Sequence, residues 1–212
     1  MTGAESIARY TITDHDRAMT NPFLEEVSSL AEGAPTPQKA EEVLKKMRSD
    51  LVMKYAFTIP YYELIAAIAA SGPLVEIGAG SGYWAWMISQ AGGDVVAIDR
   101  FSPDEVTPWD FTGTNQWYDE TWYYVDEGEA VSAGAWPERS LFLAWPLYAD
   151  PMAADALRAY EAAGGKKVIF LGDVSMAGDE NFHQKLKSLH QETRITCMGW
   201  PGLNEELIIA SL

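Results

Sequence analysis

Apolar residues recur at helical spacing over the first third of the chain and then give way to short apolar runs set between amphipathic stretches. Asn21-Pro22 and Thr36-Pro37 each offer a capping side chain followed by proline, which is pre-set for the first helical position. They open predicted helices over 23–31 and from 37 onward, the second with Ala40, Val43, Leu44, Met47 and Leu51 on one face. Residues 1–20 show no period and read as a loose or lid-like start. An aromatic joint at 55–62 leads into a helix over 63–70 that stops at Ser71-Gly72-Pro73. Strands are then predicted at 74–77, 94–98, 122–125, 140–144 and 167–171, with helices at 81–91, 152–162 and 180–190. A strand at 193–198, a Pro201-Gly202 turn and a strand at 206–211 close the chain. Strands separated by helices imply a parallel sheet covered on both faces, and a short-turned final pair implies an antiparallel hairpin. The expected layout is an N-terminal helical extension or cap over 1–54 and an α/β domain over 55–212.

The first strand runs into Gly78-Ala79-Gly80-Ser81-Gly82, and the second ends in Asp99. Glycines there permit a tight turn and let a ligand approach main-chain N–H groups at a helix N-terminus. A carboxylate about 20 residues further on suits a ribose diol. The dinucleotide fingerprint G-x-G-x-x-G, begun at Gly78, would need glycine where Tyr83 stands.

Glu76-Ile77-Gly78-Ala79-Gly80-Ser81-Gly82 resembles motif I of the class I S-adenosylmethionine-dependent methyltransferases. The resemblance implies a Rossmann-like fold: a seven-stranded, mostly parallel sheet with a C-terminal antiparallel hairpin, and S-adenosylmethionine as substrate. It places Glu76, Gly78, Gly80 and Gly82 beneath the methionine portion and ribose, and Asp99 on the ribose hydroxyls. Glu129-Ala130 is similar to the family's G-D-A element near the adenine, with Glu in place of Asp. The region 140–146 and Ala163-Gly164-Gly165 resemble the family's approaches to its fourth and fifth strands.

Net charge is −16, from 15 basic and 31 acidic residues, which repels phosphate backbones and disfavours nucleic acid as a substrate. No apolar run reaches bilayer length, and the single cysteine, Cys197, reads as a small apolar filler in a reducing, cytoplasmic setting. Within 212 residues, a small-molecule substrate and a monomer or homodimer are expected. The histidines, His15, His183 and His190, are scattered without metal-ligand spacing, so no metal is expected, and His183 and His190 read as solvent-facing. Asp173 reads either as a substrate contact or as a loop or capping carboxylate.

Eight tryptophans and ten tyrosines cluster near the predicted carboxyl ends of the strands, where open α/β sheets bind ligands. Trp109, Phe111, Trp117, Tyr118, Trp122, Tyr123 and Tyr124 fall between the second and third strands; Trp145 and Tyr148 follow the fourth. Most such rings belong to the core. A subset can surround a sulfonium, because aromatic faces attract desolvated cations by about 2 kcal/mol. Tyr55 and Tyr61 are the cofactor-side candidates, and Tyr148, Trp145 and Tyr123 the catalytic ones. Trp145-Pro146-Leu147-Tyr148 stands where amino-methylating relatives carry Asn/Asp-Pro-Pro-aromatic, and it lacks their polar first residue. That departure disfavours nucleobase N-methylation. Three functions stay open: methyl transfer to a small acceptor, intramolecular cyclisation as in azetidine-2-carboxylate synthases with release of methylthioadenosine, and a non-catalytic binding module.

Overall fold

The computed structural model describes residues 12–101, 118 and 120–212. Trp109, Phe111 and Trp117 lie outside the described residues, as do residues 1–11 of the expected loose start. The described part of that start contains a short helix, α1 (Asp14–Arg17), closed by a capping box between Thr13 and Asp16. Helices α2 (Pro22–Glu32) and α3 (Pro37–Lys54) follow, with Asn21 accepting from Leu24 N and Thr36 from Lys39 N. Helix α4 (Tyr62–Ala69) leads to β1 (Leu74–Ile77), α5 (Tyr83–Gln90) and β2 (Val95–Asp99). A two-residue β3 (Asp126–Glu127) precedes a 3₁₀ turn over Ala130–Ala135 and β4 (Ser140–Ala144). The remainder is α6 (Met152–Ala162), β5 (Lys167–Asp173), α7 (Glu180–Ser188), β6 (His190–Thr196) and β7 (Glu205–Ser211).

The seven strands lie in the order β3-β2-β1-β4-β5-β7-β6, with β7 antiparallel to both neighbours and the other pairings parallel. This is the Rossmann-like class I methyltransferase fold, with the hairpin expected from the C-terminal pattern. Successive strand residues face opposite sides of the sheet and feed two buried clusters. Phe142, Ile169, Leu171, Leu207 and Ile209 join Phe23, Leu24, Leu44, Leu51 and Trp84 on one side. Leu141, Leu143, Val168, Phe170 and Ile208 join Leu157, Tyr160 and Phe182 on the other. Helices α2 and α3 therefore share a continuous core with the sheet.

Several expected boundaries shift: the strand expected at 193–198 is β6 at His190–Thr196, the helix expected at 81–91 is α5 at Tyr83–Gln90, and two further shifts have a visible cause. Residues 122–125 are not the third strand, because their groups are committed elsewhere. Trp122 N donates to Ser81 O, its indole Nε1 donates to Lys54 O, and Val125 is buried, so pairing with β2 begins at Asp126. Helix α7 ends at Ser188 rather than 190, because His190 pairs with Ser211 at the start of β6. His183 is also not solvent-facing. It is buried, with Nε2 2.6 Å from Ala177 O.

Candidate nucleoside site

The site forms at the carboxyl ends of β1, β2 and β4. Gly82 sits left-handed at the cap of α5 with φ 75°, and a Cβ there would stand 2.8 Å from Tyr123 Cβ. Gly80, at φ 58°, brings its N–H to Asp99 Oδ2 at 2.8 Å, and Phe101 N donates to Asp99 Oδ1 at 2.9 Å. Burial raises the Asp99 pKa, and those two N–H donors act against the shift. A carboxylate offers about four lone-pair sites, so two backbone bonds leave room for a ligand's hydroxyls.

A cavity of about 360 Å³ opens above this loop, lined by Gly78, Gly80, Asp99, Glu129, Ala130 and Trp145 among others. That volume falls in the range of small-molecule sites, roughly 300–1,000 Å³. Glu129 is exposed at its mouth, 3.3 Å from Arg100 Nε. Beyond the cavity lies an inner recess of about 10 Å³, room for a single water, walled by Tyr55, Phe57, Glu76, Tyr83, Trp84 and Trp145. The Tyr118 ring borders both spaces and rests against Gly80, with Cε2 only 2.1 Å from where a Cβ would stand. The close backbone approach that Gly80 permits is thus taken up by a tyrosine ring.

Glu76, 1% exposed, reaches the recess with Oε2 unpartnered. Burial, then the charge of Asp99, pushes its pKa up to about 8, against a hydrogen bond from Ala85 N. The group is an acceptor for an ammonium or hydroxyl and holds its own proton at neutral pH.

Trp145 forms the wall between β4 and the N-terminal joint. Its backbone is left-handed at φ 48°, an uncommon state for a bulky residue. Its indole Nε1 donates to Thr58 Oγ1 at 2.7 Å and to Glu205 Oε1 at 2.8 Å, and Thr58 donates to the same oxygen at 2.5 Å. Glu205 Oε2 accepts from Trp200 N at 3.3 Å. Burial pushes the Glu205 pKa up to about 7, with the Thr58 and Trp145 hydrogen bonds opposing it. Phe57 stacks on Trp145 at 5.3 Å between centroids. The ring's only polar atom is engaged away from ligand chemistry, leaving an apolar, π-rich surface.

The structure brings Glu76, Gly78, Gly80, Asp99, Glu129, Ala130, Tyr55 and Trp145 to the two spaces, with Gly82 shaping the loop. Tyr55 borders the recess while its hydroxyl donates to Glu26 at 2.9 Å. Three expected site residues stand apart from these walls. Tyr148 is 70% exposed, Tyr61 is buried in the core, and Tyr123 packs behind Gly82. Asp173, the buried last residue of β5, accepts from Ser175 N, Ser175 Oγ and Asn204 N, so its carboxylate is committed to the turn that follows. Spacing does not single out Thr58 or Glu205; they lie 147 residues apart in sequence and meet beside Trp145, on which their neighbour Phe57 stacks. Among the described residues, no cluster of His, Cys, Asp and Glu could hold a metal ion, and no helix is long and apolar enough to cross a membrane.

No protein-family model matches the chain, and no curated protein matches it. Among solved structures it is similar to a magnesium protoporphyrin IX methyltransferase from Synechocystis PCC 6803 with bound SAM. The identity is 9% and the TM-score 0.45, covering 91% of this chain and 85% of that one. It is also similar to a glycopeptide N-methyltransferase complexed with S-adenosyl-L-homocysteine, at 10% identity and TM-score 0.45, covering 71% and 87%. A third is a candidate SAM-dependent methyltransferase from Streptococcus mutans, at 8% identity and TM-score 0.47, covering 71% of this chain. The alignment spans 47% of that third protein, about half its length. At these identities the likeness concerns the fold, which the strand order already defines.

Proposed function

We propose that the chain is an S-adenosylmethionine-dependent enzyme acting on a small molecule, with methyl transfer as its default reaction. The observation that carries this is the union of Gly80 N–H and Asp99 at 2.8 Å on the floor of a nucleoside-sized cavity. Asp99 would hold the ribose hydroxyls, Glu129 and Ala130 would flank the base, and Glu76 would accept from the methionine ammonium. The present residues fit this ligand in two respects: the glycine loop leaves room that a Cβ would fill, and Glu76 holds an orphaned buried acceptor. Tyr118 has to yield its place against Gly80 for a tail to pass into the recess. When bound, the sulfonium supplies an electrophilic carbon. Trp145 and Phe57 would exclude water from it and place π-faces rather than nucleophiles beside it. Helices α2 and α3, within the expected extension or cap over 1–54, are read as a buttress for this wall.

Cyclisation of the methionine tail is the second reading. It is favoured by the wall after β4, where Trp145 turns its one polar atom to Glu205 and Thr58 and offers nothing to orient an acceptor amine. Incubation with S-adenosylmethionine alone, followed by product analysis, separates the two. Methyl transfer requires an acceptor, so no turnover is expected without one. Methylthioadenosine with a four-membered amino acid would overturn methyl transfer in favour of cyclisation. Failure to bind the nucleoside would leave the fold as a non-catalytic module.

A further inference from the structure

Arg48 on α3 stands out among the described arginines. Arg17, Arg100, Arg139, Arg158 and Arg194 each pair with a carboxylate, whereas Arg48 has no ion pair or hydrogen bond among the described residues. Its Nε is buried and unpartnered, one of two such side-chain atoms among the described residues; the other is Glu76 Oε2 in the recess. Its guanidinium carbon lies 6.0 Å from the centroid of the Trp145 ring, which borders both the cavity and the recess. Glu205 does not satisfy it. That carboxylate gives its oxygens to Thr58, Trp145 and the Trp200 N–H, and the ion pairs among the described residues include none between it and Arg48. Burial lowers the Arg48 pKa and the charge of Glu205 opposes this, yet a guanidinium stays charged at any ordinary pH.

A half-buried guanidinium with an unmet donor is costly to hold unless something completes it. Its planar fork matches a carboxylate, which it binds through paired, charge-assisted hydrogen bonds. An acidic protein with 31 carboxylate residues had many means of pairing this group internally, and the fold leaves it unpaired beside the site wall. We propose that Arg48 is a carboxylate-binding residue of the site, receiving either the methionine-tail carboxylate of the nucleoside or the carboxylate of a separate acidic substrate. This rests on the S-adenosylmethionine reading above. It adds a group from α3 to a site otherwise built from the carboxyl end of the sheet and the 55–58 joint.

The test is a set of titrations on wild type, Arg48→Met and Arg48→Lys, with circular dichroism confirming the fold. The ligands are S-adenosylmethionine, S-adenosylhomocysteine, decarboxylated S-adenosylmethionine and 5′-methylthioadenosine. If the tail carboxylate is the ligand, Arg48→Met weakens the first two by roughly 10- to 100-fold and spares the last two. Arg48→Lys, which keeps the charge without the fork, then falls between. If a separate acid is the ligand, all four bind unchanged, while acetate or benzoate titrated onto the S-adenosylhomocysteine complex quenches tryptophan fluorescence in wild type only. Unchanged binding of all four ligands with no carboxylate response in either protein overturns the assignment of Arg48. If wild type binds none of the four nucleosides, the reading of the site itself fails.

Discussion

Asp99, partly buried, and Glu76, fully buried, lie less than 25 residues apart in the chain, yet their surroundings serve them differently. Asp99 is held by two backbone N–H groups, while Glu76 keeps a bare oxygen in the recess. Glu76 releases its proton near pH 8 in the folded protein, above the ordinary value of 4.5. The folded state therefore binds that proton more tightly than the unfolded chain, and the stability it lends is lost as pH rises from about 4.5 to about 8. Glu76→Gln removes this term. Its melting temperature relative to wild type should rise over that window and level off above it; a difference independent of pH contradicts the assignment. Glu205→Gln preserves an oxygen for the Trp145 indole, whereas Glu205→Ala leaves that N–H with Thr58 alone. Ligand affinity should survive the first change and fall by about 1–3 kcal/mol in the second, read by calorimetry. Equal losses in both would mean that the charge, rather than the hydrogen bond, sets the wall.

At the scale of elements, the glycine loop is held from two sides. Gly82 needs a left-handed backbone and faces Tyr123, so Gly82→Ala should cost about 1–3 kcal/mol in denaturant unfolding and abolish nucleoside binding. Wild-type stability and affinity in that variant would refute the reading of the turn. On the other side, Asn21 caps α2, accepts from the Tyr83 hydroxyl on α5 and donates to Pro60 O. Asn21→Ala leaves these buried groups unmet and should destabilise by about 2–4 kcal/mol, measured by thermal melting. A loss no larger than that of the exposed cap variant Thr36→Ala, about 1 kcal/mol, would show that the bridge from α2 to α5 is unimportant.

Across the whole molecule, the elements with strong local chemistry were legible in advance. The proline-headed helices, the strand–glycine turn–helix unit and the closing hairpin depend on capping, glycine geometry and short turns, all encoded within a few residues. The third strand starts later than the pattern predicts because Trp122 and Val125 have strand-forming side chains, but the Trp122 backbone and indole N–H groups go to the glycine loop and α3 and Val125 is buried. The site divided the same way. The glycines and Asp99 share one local unit, whereas the Trp145–Thr58–Glu205 network spans up to 147 residues and carries no local mark. Tyr148 and Tyr123 shared the composition of the wall aromatics, but backbone direction sends one to solvent and the other behind the loop. The most direct measurement is calorimetric titration of S-adenosylmethionine into wild type and Asp99→Ala. The account expects saturable one-site binding in wild type, weakened by about 1–3 kcal/mol in the variant. Absence of binding in wild type, or equal affinity in both proteins, would contradict it.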